Sequence, residues 1–275
     1  MKPRICIVQF PGVNCEYETV MAVRACGMDA SIVRWNRPSS ELEDFEGFIL
    51  PGGFSYQDRV RAGAVAANED VVEVLIGLAA VGRPVIGICN GAQVLVEAGL
   101  VPGMKPGSID LALAPNRGMG RDGYYANWVF VKAARNPKRS AATYCLEPDE
   151  VLPIPIAHSQ GRFTSSDAGL FSRLEVEGQI VLRYCKSDGS AADGFPDDPN
   201  GSDRLAAAVC NGEGNVVAMM PHPERSTWLR QVPCQITSEW SVRRIRSLGS
   251  LESLESSGPG ARIFDSLRKY IEERV

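Results

Sequence analysis

One window constrains this chain more than any other: Val85-Ile86-Gly87-Ile88-Cys89-Asn90-Gly91-Ala92-Gln93-Val94-Leu95. An apolar strand pattern ends in Gly-x-Cys-x-Gly, and a helical pattern begins at once. That is the layout of a nucleophile elbow, with cysteine in the place where a hydrolase carries serine. Glycine on either side lets neighbouring chain approach a turn too tight for larger residues. The helix that follows aims backbone N–H groups and the positive end of its dipole at the sulfur, which favours thiolate and later an oxyanion. Taken alone, the window leaves a second reading open, with Cys89 as one more buried small hydrophobe.

The surrounding pattern says what kind of sheet carries this turn. Arg4 to Gln9 reads as a strand, Pro11 to Asn14 as a turn, and Cys15 to Cys26 as a helix with Glu16 and Glu18 near its start. Ala30 to Arg34 and Gly47 to Leu50 read as the next strands. Asn68 is placed to cap a helix whose buried face is Val71, Val72, Leu75, Ile76 and Ala79. Gly82 and Pro84 stop it. Pro84 to Ile88 is apolar on both faces, as a central parallel strand must be. Repeated βα units of this length predict an α/β fold: an open, mostly parallel sheet with helices on both faces.

The second half is richer in strand signals, at Asn127–Ala133, Val151–Ala157, Gln179–Tyr184, Leu205–Cys210 and Asn215–Met220. Asn211 to Asn215 reads as a hairpin connection. Residues 103–126 and 135–150 read as excursions from the sheet, and Ser247 to Gly260 as a mobile, low-complexity surface segment. Ile263, Phe264, Leu267, Tyr270 and Ile271 form the apolar stripe of a closing helix. The expected organisation is one domain over residues 1–275, with insertions at about 103–150 and a long tail at about 226–260.

Composition narrows the class. A net charge of −4 and a pI near 5.4 give no basic surface for nucleic acid, and no apolar run is long enough to span a bilayer. The eight cysteines, at 6, 15, 26, 89, 145, 185, 210 and 234, contain no C-x-x-C pair, and only two histidines are present. Scattered thiols in a chain without a visible export signal predict a reduced, cytoplasmic protein without a disulfide framework or zinc site.

A catalytic thiol needs a base, and the candidates are His158 and His222. His222 stands in Met220-Pro221-His222-Pro223-Glu224-Arg225, where Pro223 favours extended backbone at the histidine. Side chains at i and i+2 of an extended segment point the same way, which brings Glu224 beside His222 as the carboxylate that orients an imidazole. The other reading of His222 is a histidine in a polar turn after a strand. An oxyanion hole needs backbone donors near the sulfur. Asn90 supplies one by elbow geometry, and the Leu50-Pro51-Gly52-Gly53-Phe54 loop is placed to supply a second through Gly53. That loop also reads as a simple strand-ending turn.

At this point the residues resemble a known family. The elbow GICNGAQVL, the segment PHPER and the loop LPGG together resemble class I glutamine amidotransferases, of flavodoxin-like fold. Further stretches resemble, within that class, the glutaminase subunits of phosphoribosylformylglycinamidine synthase. They are Phe10 to Cys15, Leu50 to Tyr56 with Asp58 and Arg61 to Ala64, Pro155 to His158 with Gly161 to Phe163, and Pro199 to Ser202. The resemblance implies that Cys89 attacks the side-chain amide of L-glutamine, His222 shuttles the proton and Glu224 orients His222. Gly52, Gln93, His158, Gly161 and Phe163 would line or shape the glutamine pocket. It also implies that ammonia passes to a separate synthetase subunit, often through a complex with a small bridging protein. ATP and magnesium would belong to the synthetase, so the chain itself would need no cofactor. His158 keeps two readings, as a pocket or partner-contact residue and as a loop anchor.

The sequence departs from the family pattern at Ser159-Gln160-Gly161, where Gly-Glu-Gly is usual, at Gln57, where glycine is usual, and at Ala92, where an aromatic is common. The tail carries Arg243, Arg244 and Arg246. Three other functions fit parts of the pattern: a glutaminase serving another amidation, a non-catalytic regulatory subunit, and a cysteine peptidase of similar architecture.

Overall fold

The βα units expected in the first hundred residues all form. In the computed structural model, which describes residues 2–105, 107–118, 123–248 and 253–275, β1 (Arg4–Gln9), α1 (Glu16–Ala25), β2 (Asp29–Arg34), β3 (Gly47–Leu50), α2 (Asp70–Ala80), β4 (Val85–Ile88) and α3 (Asn90–Glu97) follow in order. Strands β3 and β4 are continuously apolar, as is β1 between Arg4 and Gln9, and their inner residues are fully buried. The later elements are β5 (Ala112–Ala114), β6 (Tyr125–Ala133), β7 (Val151–His158), β8 (Arg162–Thr164), α4 (Leu170–Val176), β9 (Ile180–Cys185), β10 (Ala206–Cys210), β11 (Val216–Met219), α5 (Glu239–Ser247) and α6 (Ala261–Arg274).

Among the described residues, nine strands form one sheet in the order β2-β1-β3-β4-β11-β10-β9-β6-β7. The five strands from β2 to β11 pair in parallel, and the remaining pairings are antiparallel. Only β10 and β6 run against the common direction, so the sheet is mostly parallel, as expected. The β-rich second half extends this sheet; only β5 and β8 pair separately. Helices cover both faces. A Cβ on Gly47 would meet Ile271 of α6, whereas Leu50, on the opposite pleat of the same strand, lies against Gly91 of α3. Any side chain at Gly91 would run into the Leu50 carbonyl, so glycine there lets α3 sit close on the sheet. One apolar cluster runs from Ile5 to Ile271 and includes all five residues of the closing stripe except Tyr270, itself buried.

Some local expectations need correction. Asn68 does not cap α2: it lies in a preceding 3-10 turn, its side chain donates to the Ala64 carbonyl, and Glu69 occupies the cap position. Ile76 is 41% exposed, because the apolar stripe of α2 is only as wide as Val71, Val72, Leu75 and Ala79. The 247–260 segment is not all surface. Gly249 to Glu252 lie outside the described residues, but Leu254 and Ser256 accept from Arg230 and Leu229, and residues 258–260 are buried. The tail contains a helix, α5, capped by the Ser238 hydroxyl, that its arginine-rich composition concealed. Among the described residues, no helix is long and apolar enough to cross a membrane.

Candidate active site

Cys89 links β4 to α3 with φ +51° and ψ −104°. Backbone in so sparse a region costs on the order of 1–3 kcal/mol and persists only where its surroundings fix it. Here the Cys89 N–H donates to Met219 O at 2.8 Å, and its carbonyl accepts from Gln93 N at 3.1 Å. The side chain is turned inward, with Sγ 3.5 Å from Ala157 O on β7. The last strand of the sheet therefore returns over the carboxyl end of β4.

His222 follows β11, the parallel neighbour of β4. Its N–H donates to Pro155 O at 2.8 Å, a second tie to β7. Its ring Nδ1 lies 2.5 Å from Glu224 Oε1, and both side chains are buried. The expected pairing forms by a route other than strand alternation. Residues Pro223–Ser226 make a 3-10 turn with His222 at its leading edge, φ −101° and ψ 88°, and this turn swings Glu224 back to the ring. Among the described residues, the Nε2 atom is buried without a hydrogen-bond partner. It belongs to a residue that shares a cavity of about 40 Å³ with Cys89, Cys15, Gly53, Ala157 and Tyr124. Burial alone lowers the imidazole pKa, but the Glu224 carboxylate and the neighbouring Cys89 and Cys15 sulfurs outweigh it and hold His222 well above the usual histidine range.

The loop after β3 supports the histidine and faces the sulfur. A Cβ on Gly52 would stand 2.7 Å from His222 Cε1 and 3.1 Å from Cys15 Sγ, so the imidazole rests where Gly52 has no side chain. Gly53, at φ +141°, bridges to Val13 through flanking bonds from Phe54 N to Gly12 O and from Asn14 N to Gly52 O. In that register the Gly53 N–H points away from residues 12–14. The Asn90 N–H, first in α3, has no intrahelical partner by its position. Gly53 lines the same small cavity as Cys89, and Asn90 follows the cysteine directly.

Gln93, His158 and Phe163, the side chains expected at the glutamine pocket, are engaged elsewhere, and the Asn90 side chain joins them. Asn90 accepts from Ser55 N at 3.0 Å and donates to Gln93 Oε1 at 2.9 Å, and Gln93 in turn donates to Gln160 O at 2.8 Å. His158 Nδ1 meets Asn116 Oδ1 at 3.1 Å inside the protein, and Phe163 is fully buried. Neither they nor Gly161 border the small cavity; Ala157 does. A larger cavity of about 590 Å³, between Trp35 and the start of α2, contains none of the site residues.

Cys15 and Arg225 are the residues that sequence reading left without a role. Arg225 donates to Cys15 Sγ at 3.1 Å and to Glu18 Oε1 at 2.9 Å. Burial, helped by Glu224, pushes the Cys15 thiol up to about 11 against the pull of His222, so it stays protonated. Ligand atoms of Cys15, His222 and Glu224 lie within 4.8 Å of one another, the one such group among the described residues. The Arg225 guanidinium, 4.0 Å from Glu224 Oε1, opposes a cation there. The available signal for Cys15 was its place: the loop after β1 opens at the same sheet end as the elbow.

With this geometry in hand, the comparisons are decisive. A model of the CobB/CobQ-like glutamine amidotransferase domain matches residues 2–271. The chain belongs to this family. It is 46% identical to phosphoribosylformylglycinamidine synthase subunit PurQ of Methanothrix thermoacetophila, over 98% of this chain and 99% of the relative. It is 41% identical to the PurQ subunit of Pyrococcus furiosus, over 82% of this chain and 89% of that one. A structure of PurLQS from Thermotoga maritima superposes with a TM-score of 0.71 at 33% identity, covering 98% of this chain and 99% of that chain.

In this amidotransferase two of the departures from the family pattern, at Gln57 and at Gln160, have local explanations, and nothing in the structure explains the third. Gln57 holds φ +60°, a left-handed conformation that glycine adopts freely, so the usual glycine there is a backbone preference. Gln160 meets Gln93 through its carbonyl, so that bond does not depend on which side chain follows Ser159. Ala92 is fully buried in α3.

Proposed function

We propose that this glutaminase subunit of phosphoribosylformylglycinamidine synthase, a purine-biosynthetic enzyme, works through Cys89, His222 and Glu224. The Cys89 sulfur attacks the side-chain carbonyl carbon of L-glutamine, and the Gly53 and Asn90 N–H groups receive the oxyanion. His222 delivers a proton to the departing nitrogen, the C–N bond breaks, and ammonia leaves a glutamyl thioester. Water, giving its proton to His222, then cleaves the C–S bond to yield glutamate and restore the thiol. Glu224 holds Nδ1–H so that Nε2 faces the sulfur. The observation that carries this reading is the buried imidazole, tied to a carboxylate at one nitrogen and, among the described residues, unpartnered at the other, in one cavity with an elbow cysteine.

Ammonia then passes to a synthetase subunit, which uses ATP and magnesium to convert formylglycinamide ribonucleotide to its amidine. A small bridging protein completes the complex, and the reaction is cytoplasmic. The depression of about 40 Å³ beside Cys89 is much smaller than glutamine, and in this reading the synthetase widens it when the subunits meet. That accounts for an expected low activity alone and strong stimulation by the synthetase.

The test is glutamine hydrolysis with and without purified synthetase, for the native chain and Cys89→Ser. Stimulated ammonia release that disappears in the variant supports the reading. A Cys89→Ser rate near that of the native chain overturns it. Release from peptides in place of glutamine would point to a peptidase, and ammonia transfer only with another synthetase would change the acceptor.

A further inference from the structure

The insertion before β6 contributes a side chain that organises one wall of the site. Asn116 follows β5, is buried, and spends its whole amide on residues 158–161. Its Nδ2 donates to His158 O at 2.9 Å, and its Oδ1 accepts from Gly161 N at 3.0 Å and from His158 Nδ1 at 3.1 Å. Its own N–H donates to Ser159 O at 2.9 Å. With Nδ2 fixed as donor, Oδ1 must be the acceptor, so His158 carries its proton on Nδ1. A side chain at Gly161 would run into the His158 ring, so the imidazole lies flat against that glycine. Asn200 closes the far side, donating to Gly161 O at 2.9 Å.

This segment has one direct tie to the nucleophile and one to the helix that follows it. Ala157 O, one residue before His158, accepts from Cys89 Sγ at 3.5 Å, and Gln160 O accepts from Gln93 on α3. We propose that Asn116 is a positioning residue for the glutaminase reaction, holding the 157–161 segment so that Ala157, its leading residue, forms the wall of the cavity beside Cys89. The inference rests on the cysteine-thioester reading above.

Asparagine suits the position for a physical reason. One neutral side chain donates to a carbonyl and accepts two N–H groups, which aspartate cannot do, having no donor when ionised. Burial first, and the charge of His222 second, push His158 down to about 3, so the ring is a neutral strut in the native protein. A carboxylate at 116 would stand opposite the His158 carbonyl and draw a proton onto the ring.

The experiment compares Asn116→Ala and Asn116→Asp with the native chain in the synthetase complex, reading KM and kcat for glutamine separately. Glutamine binding is also measured by calorimetry in the Cys89→Ala background. Losing two or three hydrogen bonds to the wall should raise KM and Kd about tenfold or more, with a smaller change in kcat. With only two histidines in the chain, ring-proton NMR follows His158 directly. Its titration should move upward from about 3 in Asn116→Asp. Unchanged KM and Kd in a folded Asn116→Ala overturn the proposal. If that variant does not fold, Asn116→Asp decides: native KM, Kd and His158 titration together overturn it as well. Full turnover by Cys89→Ser would instead remove the underlying reading and leave the Asn116 binding effect measurable on its own.

Discussion

His222 Nδ1 and Glu224 Oε1 lie 2.5 Å apart, and neither side chain reaches solvent. A buried carboxylate without a partner is costly, and so is a buried imidazolium, so each group makes the other's charge tolerable. The pair is also directional. Occupying Nδ1 leaves Nε2 as the only ring nitrogen free to serve the sulfur.

Glu224→Gln keeps the volume but no longer fixes the tautomer. By analogy with loss of the orienting acid in hydrolase triads, kcat should fall by roughly 10³-fold or more, with KM nearly unchanged. Steady-state ammonia release in the synthetase complex measures it. A loss below about tenfold would remove Glu224 from the orienting role.

The two histidines should titrate on opposite sides of the ordinary value. His158 is pushed down to about 3 by burial and by His222, while His222 is held up against its own burial by Glu224 and the two sulfurs. An unfolded chain protonates His158 near 6.5, whereas the native one does so only near 3. Its contribution to stability is therefore present above 6.5 and lost as pH falls toward 3, at up to about 1.4 kcal/mol per unit. The His222 contribution has the reverse sign, present in full below 6.5 and lost as pH rises through its raised native value. Urea unfolding between pH 4 and 6.5, compared with His158→Gln, checks the first; ring-proton NMR at alkaline pH checks the second. A variant with the native acid slope would contradict the assignment to His158.

Much of this was legible in the sequence because period and apolarity carried it. The parallel half, the elbow at Cys89 and the closing stripe all follow from local patterns that tertiary packing reinforces. The pairing of His222 with Glu224 was readable, but its mechanism was not. Pro223 suggested extended backbone at His222, while the actual 3-10 turn depends on packing against β7 and α6. Asn116 and Cys15 were harder still. Their importance lies in contacts with residues 158–161 and with Arg225, far along the chain, and no periodicity marks either. Helix α5 was hidden because its arginines and exposed Val242 and Ile245 make a weak apolar stripe.

Thiol chemistry should separate two sulfurs that share a cavity. Cys15 stays protonated at neutral pH, and burial pushes Cys6, Cys26 and Cys210 to about 12. Exposed Cys234 should therefore react with a small alkylating agent in the native protein, and those four should not. A glutamine-shaped electrophile should add its mass to Cys89 alone beyond Cys234. Peptide mapping that places that mass on Cys15, with Cys89 unmodified, would contradict the assignment of the nucleophile.

Gly52→Ala tests the site with one methyl group. The new Cβ would lie 2.7 Å from His222 Cε1 and 3.1 Å from Cys15 Sγ, closer than carbon tolerates. The Cys15 side is held by Arg225, and the ring is held by Glu224 and by the Pro155 carbonyl on its backbone. The imidazole must then tilt away from Gly52 by a substantial fraction of an ångström, taking Nε2 out of line with Cys89. Misplacement of that size costs roughly 10²-fold in rate. Overpacking one methyl group should cost only about 1–3 kcal/mol of stability, so the variant should stay folded. Thermal unfolding and glutamine hydrolysis measured on the same sample separate the two effects. Hydrolysis at the native rate would mean that the ring has room that this packing denies it.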